Sequence, residues 1–373
     1  MKKKKICIIP FIKEQIPLIT NSSEHYEITA IIAPGKDIIG KDISVLVNRE
    51  KIDIITSTNL EEAVKGCDIV LISDITTKKI RMIDGKIDNP LNDFVNRGLE
   101  VALQMKKDIM CFTELDDKMQ RKCMDISFKN GTKFKYFKYQ NIKNKNISVS
   151  NDINVPVIFI GEMLQNCDGY EIFLKLLQRF KKDKLKPIGI SEDKYNSLYD
   201  QYSIKFWNDF DPGENVRNIK YYVEDIVKKT YPDVVIVKLP KPMTAYDDDA
   251  TYDFGMTAYL VSQALHVDYF LYCSLYSFLS LDFMSRIDEN FKSRFGYSIS
   301  AFHCCNQIVD NSAELKYEAK TAFIPINQVT KDTKYIRDQT GQQIFNLLEE
   351  ESFNQFYNSL KSELFDLPYG VIA

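Results

Sequence analysis

The chain has 373 residues, 45% of them apolar and 27% charged, with a formal net charge of −3. That length predicts two domains, and the composition is that of a globular protein, which excludes fibrous and disordered classes. The charge balance gives no basic face for nucleic acid, and no apolar run approaches the ~18 residues that cross a membrane.

Lys2, Lys3, Lys4 and Lys5 read as a solvated start. The apolar residues 6–10 behind them are too short for a signal-peptide core and suit a buried first strand. Eight cysteines without regular spacing predict reduced thiols and a cytoplasmic protein. Further strands are predicted at 27–33, 52–55, 68–73 and 108–113, with helices at 60–65, 90–105 and 116–128 between them. Asn59 caps the first of these helices, and Glu61 and Glu62 lie in its first turn, where the helix dipole favours them. Alternating strands and helices give a parallel sheet covered on both faces, a Rossmann-like domain. A strand at 134–137 closes it, residues 141–154 read as a linker, and the boundary falls at residue 150. The predicted architecture is α/β: a Rossmann-like parallel-sheet domain over 1–150 and a degenerate P-loop-NTPase-like domain over 151–373, ending in a helix.

Gly35, Gly40 and Lys41 match G-x-x-x-x-G-K, but Asp42 stands where a P-loop needs a hydroxyl for Mg²⁺, so the match reads as chance. No G-x-G-x-x-G follows the first strand, so the dinucleotide fingerprint is missing.

The second domain opens on the apolar run Val157, Ile158, Phe159 and Ile160, which stops at Gly161. A loop reaches Gly169, and Phe173, Leu176, Leu177 and Phe180 then recur at helical spacing. At such a joint the N–H groups of the helix start can hold a phosphate. A working P-loop ends in lysine and a hydroxyl, whereas Gly169, Tyr170 and Glu171 supply neither. The candidate ligand-binding residues are Gly161, Glu162, Asn166, Asp168 and Gly169 in this loop, with Lys238 and Lys241 at the tip of a strand predicted at 234–239. That tip lacks the acid that directs Mg²⁺. Asp247 and Asp248, beside Asp249, could hold Mg²⁺ through water, or form a solvated acidic turn. Asn166 or Asp168 has the plainer alternative of capping the helix, and Cys167 is a nucleophile only if the helix start lowers its pKa.

Other elements expected in this half are strands at 187–191, 269–273, 298–304 and 323–326, and helices at 214–230, 254–265, 281–294 and 342–365. His303, Cys304 and Cys305 lack zinc-ligand spacing and read as a buried strand, with His303 and Cys305 on one face. The irregular stretch 193–213 is aromatic; Tyr195, Tyr199 and Trp207 are candidate peptide or partner contacts, with loop packing as the alternative.

The runs Val155-Pro156-Val157-Ile158-Phe159, Gln165-Asn166-Cys167-Asp168-Gly169-Tyr170-Glu171 and Pro232-Asp233-Val234-Val235-Ile236, with Ile9-Pro10-Phe11 and the loop 34–42, resemble the bacterial peptide maturation system proteins. The resemblance implies a place in a gene cluster for a ribosomally made peptide natural product. It implies a precursor peptide, a radical-SAM enzyme and an acyl-carrier-related protein as partners. Members of that family more often show Glu-Asn-Cys-Asp with a lysine next; here Gly169 stands in the lysine's place. The resulting expectation is a partner- or peptide-binding component with a degenerate nucleotide site, nucleotide with Mg²⁺ not being favoured as cofactor. The alternative is a nucleotide-dependent ligase or kinase acting on the precursor.

Overall fold

The computed structural model describes residues 2–21, 23–34, 39–46, 51–75, 81–83, 86–88, 91–139, 153–207, 211–248, 251–309 and 321–366. The chain forms two units, one of Met1–Lys138 with Ser197–Tyr199, the other of Tyr139–Asn196 with Asp200–Ala373. The expected linker at 141–154 lies almost wholly outside the described residues, as do the first half of the Gly35 to Asp42 segment and Asp249. No described helix is long and apolar enough to cross a membrane.

The first unit runs β1 (Lys4–Ile9), α1 (Ile16–Thr20), β2 (Tyr26–Ile32), β3 (Thr56–Ser57), α2 (Leu60–Lys65), β4 (Ile69–Ile72), the hairpin β5 (Arg81–Ile83) and β6 (Lys86–Asp88), α3 (Asn92–Gln104), β7 (Asp108–Cys111), α4 (Asp117–Asn130) and β8 (Phe134–Tyr136). Its six-stranded sheet has the order β3-β2-β1-β4-β7-β8, with every pair parallel. With the hairpin set aside, this is the 3-2-1-4-5-6 order of a Rossmann fold. Ile69, Val70, Leu71 and Ile72 are all buried, as a strand covered on both faces requires. Asn59 caps α2 by accepting from the Glu62 N–H at 3.2 Å. Helix α3 packs Val95, Leu99 and Ala102 into the core beside Cys7, Ile9 and Ile72. Gly98 permits that approach, since a Cβ there would lie 2.8 Å from Ile9 Cγ2. The third strand falls at Thr56–Ser57, just past the apolar run 52–55 that suggested it. Helix α1 has five residues, too few to show a period, and the hairpin left no pattern in the sequence either.

The second unit runs β9 (Val157–Glu162), α5 (Gly169–Lys182), β10 (Pro187–Ser191), β11 (Tyr202–Ser203), α6 (Pro212–Thr230), β12 (Val234–Pro242), α7 (Met256–Ala264), β13 (Tyr269–Leu275), α8 (Leu281–Phe295), β14 (Ala301–Cys305), β15 (Gln307–Val309), β16 (Thr321–Phe323), α9 (Ile326–Thr340), β17 (Ile344–Phe345) and α10 (Glu350–Lys361). The seven-stranded sheet has the order β11-β10-β12-β9-β13-β14-β17 and is parallel throughout. Its first strand, β9, is central. The chain leaves it through α5 toward β10 on one side and later passes through α7 to β13 on the other. The crevice of an open sheet lies where connections diverge in this way, at the carboxyl ends of the strands. The fold is therefore a Rossmann-like unit and a P-loop-like α/β unit.

Two expectations at the carboxyl-terminal end are corrected. The strand expected at 323–326 ends at Phe323 and pairs antiparallel with β15, while Ile326 opens α9 behind Pro325. The helix expected from 342 begins only at Glu350, because Ile344–Phe345 forms the edge strand β17 beside β14. Helix α9 buries only Val329 and Thr333, too narrow a stripe to announce a helix.

Candidate functional site

The centre of the second unit is the turn from β9 into α5. Glu162, the last residue of β9, is 3% exposed. Its Oε1 accepts the N–H of Gly169, the first residue of α5, at 2.9 Å. Its Oε2 lies 3.1 Å from Lys238 Nζ, and Asp193 Oδ2 lies 3.9 Å from the same ammonium. A helix start offers its free N–H groups to an anion, and here the anion is the protein's own carboxylate. Gly169 is needed for the approach: a Cβ on it would sit 2.7 Å from the Glu162 carboxyl carbon. Burial alone would pull the Lys238 ammonium down, but Glu162 and Asp193 win and hold it above its ordinary value. Burial raises the nearby Glu192 carboxyl, against the Phe206 N–H that it accepts at 2.9 Å.

The loop that follows is held from the other side by β14 and β15. Asp168 Oδ2 lies 3.1 Å from His303 Nε2, and the Asn166 carbonyl accepts from Gln307 Nε2 at 2.7 Å. Between these two contacts the Cys167 thiol meets Cys305. Three successive loop residues thus engage His303 and Cys305 on β14 and Gln307 at the start of β15, in reverse chain order. His303 Nδ1 accepts the Leu347 N–H at 3.0 Å, so the proton of the neutral ring is on Nε2 and is donated to Asp168. Asn166 and Asp168 have φ of 68° and 66°, a left-handed conformation that Asn and Asp tolerate better than other side chains. Asp168 occupies the N-cap position of α5, but its side chain does not cap; Glu162 takes that role. Burial, followed by the Cys305 contact, pushes the Cys167 thiol up, so the helix start does not make it a thiolate nucleophile.

The remaining candidates are more dispersed. Gly161 lies within β9, where a Cβ would clash with Met243 Sδ. The ladder between β9 and β12 shifts register between Lys238 and Pro242, and Lys241, exposed and with φ 54°, pairs with Asp253 at 3.0 Å. Asp253 belongs to a left-handed turn, Tyr252, Asp253, Phe254 and Gly255, with φ of 46°, 53°, 54° and 70°. Gly255 closes that turn against the Met243 carbonyl, where no Cβ fits. Asp247 and Asp248 are exposed, and among the described residues no group of three or more His, Cys, Asp or Glu side chains converges as a metal site. Tyr195 and Tyr199 are buried, and the Tyr199 hydroxyl donates to the Asn21 carbonyl within the first unit at 2.7 Å. Packing therefore claims these two aromatics, and Trp207 is half-buried.

The structure brings together Glu162, Asp168, Gly169 and Lys238, and adds Asp193, His303, Cys305 and Gln307. The one sequence signal among the added residues was the alternate spacing of His303 and Cys305 on a single strand; Asp193 and Gln307 gave none.

No protein-family model matches the chain, and no curated protein matches it. Among solved structures, a DUF1611 family protein from Anabaena variabilis is similar over 98% of this chain and 100% of its own, with a TM-score of 0.62 at 9% identity. That likeness is one of fold. The kinase domain of Escherichia coli tyrosine kinase ETK aligns over 44% of this chain and 71% of its own at 13% identity, and its TM-score of 0.30 is too low to carry an argument.

Proposed function

We propose that the chain serves in the maturation of a ribosomally made peptide as a partner- or peptide-binding component whose nucleotide-type crevice no longer takes a nucleotide. The observation that carries the binding-protein reading is the Glu162 carboxylate on the Gly169 N–H, neutralised by Lys238. The anion position is filled from within, the lysine is consumed, and Asp168 and Asp193 add negative charge that opposes a phosphate. The pathway rests on the resemblance of 155–159, 165–171 and 232–236 described above.

The decisive measurement is melting with millimolar ATP or GTP and Mg²⁺. A ligand at a hundredfold over its Kd adds about 2.7 kcal/mol of stability, a shift of several degrees. The expected shift is nil. A clear shift would overturn the reading and favour the nucleotide-dependent ligase or kinase, which the strand order around β9 supports. Binding is tested by pull-down of the co-encoded precursor and enzymes with wild type, Trp207→Ala and Asn166→Ala. Loss with either variant at unchanged melting temperature supports the crevice as the binding surface; equal recovery removes it.

A further inference from the structure

The turn that carries Asp253 leads into an apolar surface that the fold leaves open. Phe254 is 56% exposed, and Met256 and Tyr259, three residues apart at the start of α7, are 51% and 39% exposed. Helix α7 carries no charged side chain. Gly255 packs on the Met243 carbonyl, and three residues past Met243 the half-buried Tyr246 ring meets that of Phe278 edge to face at 6.3 Å. The Met243 N–H donates to the Glu162 carbonyl at 3.0 Å, so this surface borders the crevice.

Tyr252, Asp253 and Phe254 are held left-handed, a conformation that costs an L residue free energy. The surroundings fix it. Asp253 Oδ2 accepts from Lys241 Nζ at 3.0 Å and from Thr257 Oγ1 at 2.6 Å. The Phe254 N–H donates to the Thr251 carbonyl at 2.7 Å, and Arg294 donates to the Phe254 carbonyl. The outcome is a phenylalanine that faces water. Strain maintained in this way clusters at ligand clamps, and grouped exposed apolar side chains mark sites of protein interaction.

The charge beside these side chains is acidic. From Lys241 to Tyr259 the sequence has four aspartates and one lysine, and that lysine is the partner of Asp253. Asp247 and Asp248, which follow Tyr246, are exposed. Arg294, a second cation, is turned to the Phe254 carbonyl and lies 5.3 Å from the centre of the Phe295 ring.

We propose that this surface docks a peptide segment in which large apolar side chains are flanked by lysine or arginine. The apolar side chains cover Phe254, Met256 and Tyr259, and the cations meet Asp247 and Asp248. In this it rests on the partner-binding reading above and gives that partner its chemistry.

The test uses the whole native protein and two short fluorescent peptides with the same leucines and phenylalanines, one with lysines between them and the other with glutamates. Anisotropy should show the lysine peptide binding about tenfold or more tightly than the glutamate peptide, with an affinity that falls as salt rises. Phe254→Asn should weaken that binding about tenfold or more at unchanged melting temperature, because asparagine tolerates a φ of 54°. Should that variant fail to fold, Met256→Ser, at the exposed start of α7, is the second. Asp247→Asn with Asp248→Asn should flatten the salt dependence. Equal affinity for the two peptides, binding undiminished in Phe254→Asn or Met256→Ser, or an unchanged salt dependence in the aspartate variant would each overturn the proposal. Binding that depends on Phe254 and on charge, together with a clear melting shift on ATP and Mg²⁺, would support this surface while removing the reading of the crevice as one that no longer takes a nucleotide.

Discussion

Asp168 and His303 lie 135 residues apart in sequence and 3.1 Å apart in space, with the far side of the ring fixed by the Leu347 N–H at 3.0 Å. The imidazole is fully buried, and its removal takes one partner from the Asp168 carboxylate and one from the Leu347 N–H. His303→Ala should cost about 3 kcal/mol, since a buried group that loses a hydrogen-bond partner costs about 1–3 kcal/mol. Urea unfolding measures this, and His303→Gln, which can keep one of the two bonds, should lose less. Equal losses would mean that the ring serves as packing alone.

Glu162 and Lys238 form a buried pair, the lysine side chain being 13% exposed and the glutamate 4%. Removing one partner of such a pair costs roughly 3–5 kcal/mol, whereas removing both costs much less. Glu162→Gln should therefore destabilise strongly, and Glu162→Gln with Lys238→Met should cost less than the two singles added. A double-mutant cycle on chemical unfolding reads the coupling. Additive losses would show that the two groups act independently.

Gly169→Ala tests the close approach at the start of α5. Alanine forms helix better by about 1 kcal/mol, yet its Cβ would lie 2.7 Å from the Glu162 carboxyl carbon. Overpacking of about 1–3 kcal/mol should win, and the variant should melt lower. Gly66→Ala is the control. Its φ is −78° and its nearest obstacles are 3.8 Å away, so it should gain about 0.4–1 kcal/mol.

Acid should loosen the attachment of α10. Asp183, after the last turn of α5, accepts from Lys361 Nζ at 2.9 Å and from the Tyr357 hydroxyl at 3.2 Å. The Lys361 bond, with burial opposing, holds its carboxyl below the ordinary value. A carboxyl lowered by folding contributes stability at pH above the unfolded value, about 3.9, and loses it as pH falls through the folded one. Wild type should therefore lose stability below about pH 4 more steeply than Asp183→Asn, measured as melting temperature against pH. Identical acid limbs would remove Asp183 from the account.

The α/β architecture was legible because fully buried strands such as 157–160 and 69–72 write themselves as unbroken apolar runs. Asn59 announced its helix for an equally local reason, a side chain bonding three residues ahead. The edge strand Ile344–Phe345 and helix α9 were not legible, since two residues carry no period and a stripe of Val329 and Thr333 carries little. At the crevice, Glu162, Asp168 and Lys238 stood out because polar residues at the end of an apolar strand or the start of a helix need a reason. Their partners did not. His303 is a single histidine on a strand, and only the parallel pairing of β13 with β9 and of β14 with β13 brings it to Asp168.

The three rungs that tie Asn166, Cys167 and Asp168 to Gln307, Cys305 and His303 make the loop after β9 a composite of two distant stretches of chain. Such a loop cannot be grafted. Moved alone into another scaffold, residues 162–169 would keep the Glu162 bond to Gly169, which is internal to the segment, and lose what holds Asn166 and Asp168 at φ of 68° and 66°. A recombinant chimera keeps the conformation only when residues 303–307 come from the same parent, and shuffled libraries that cross over between the two stretches should be depleted of folded members.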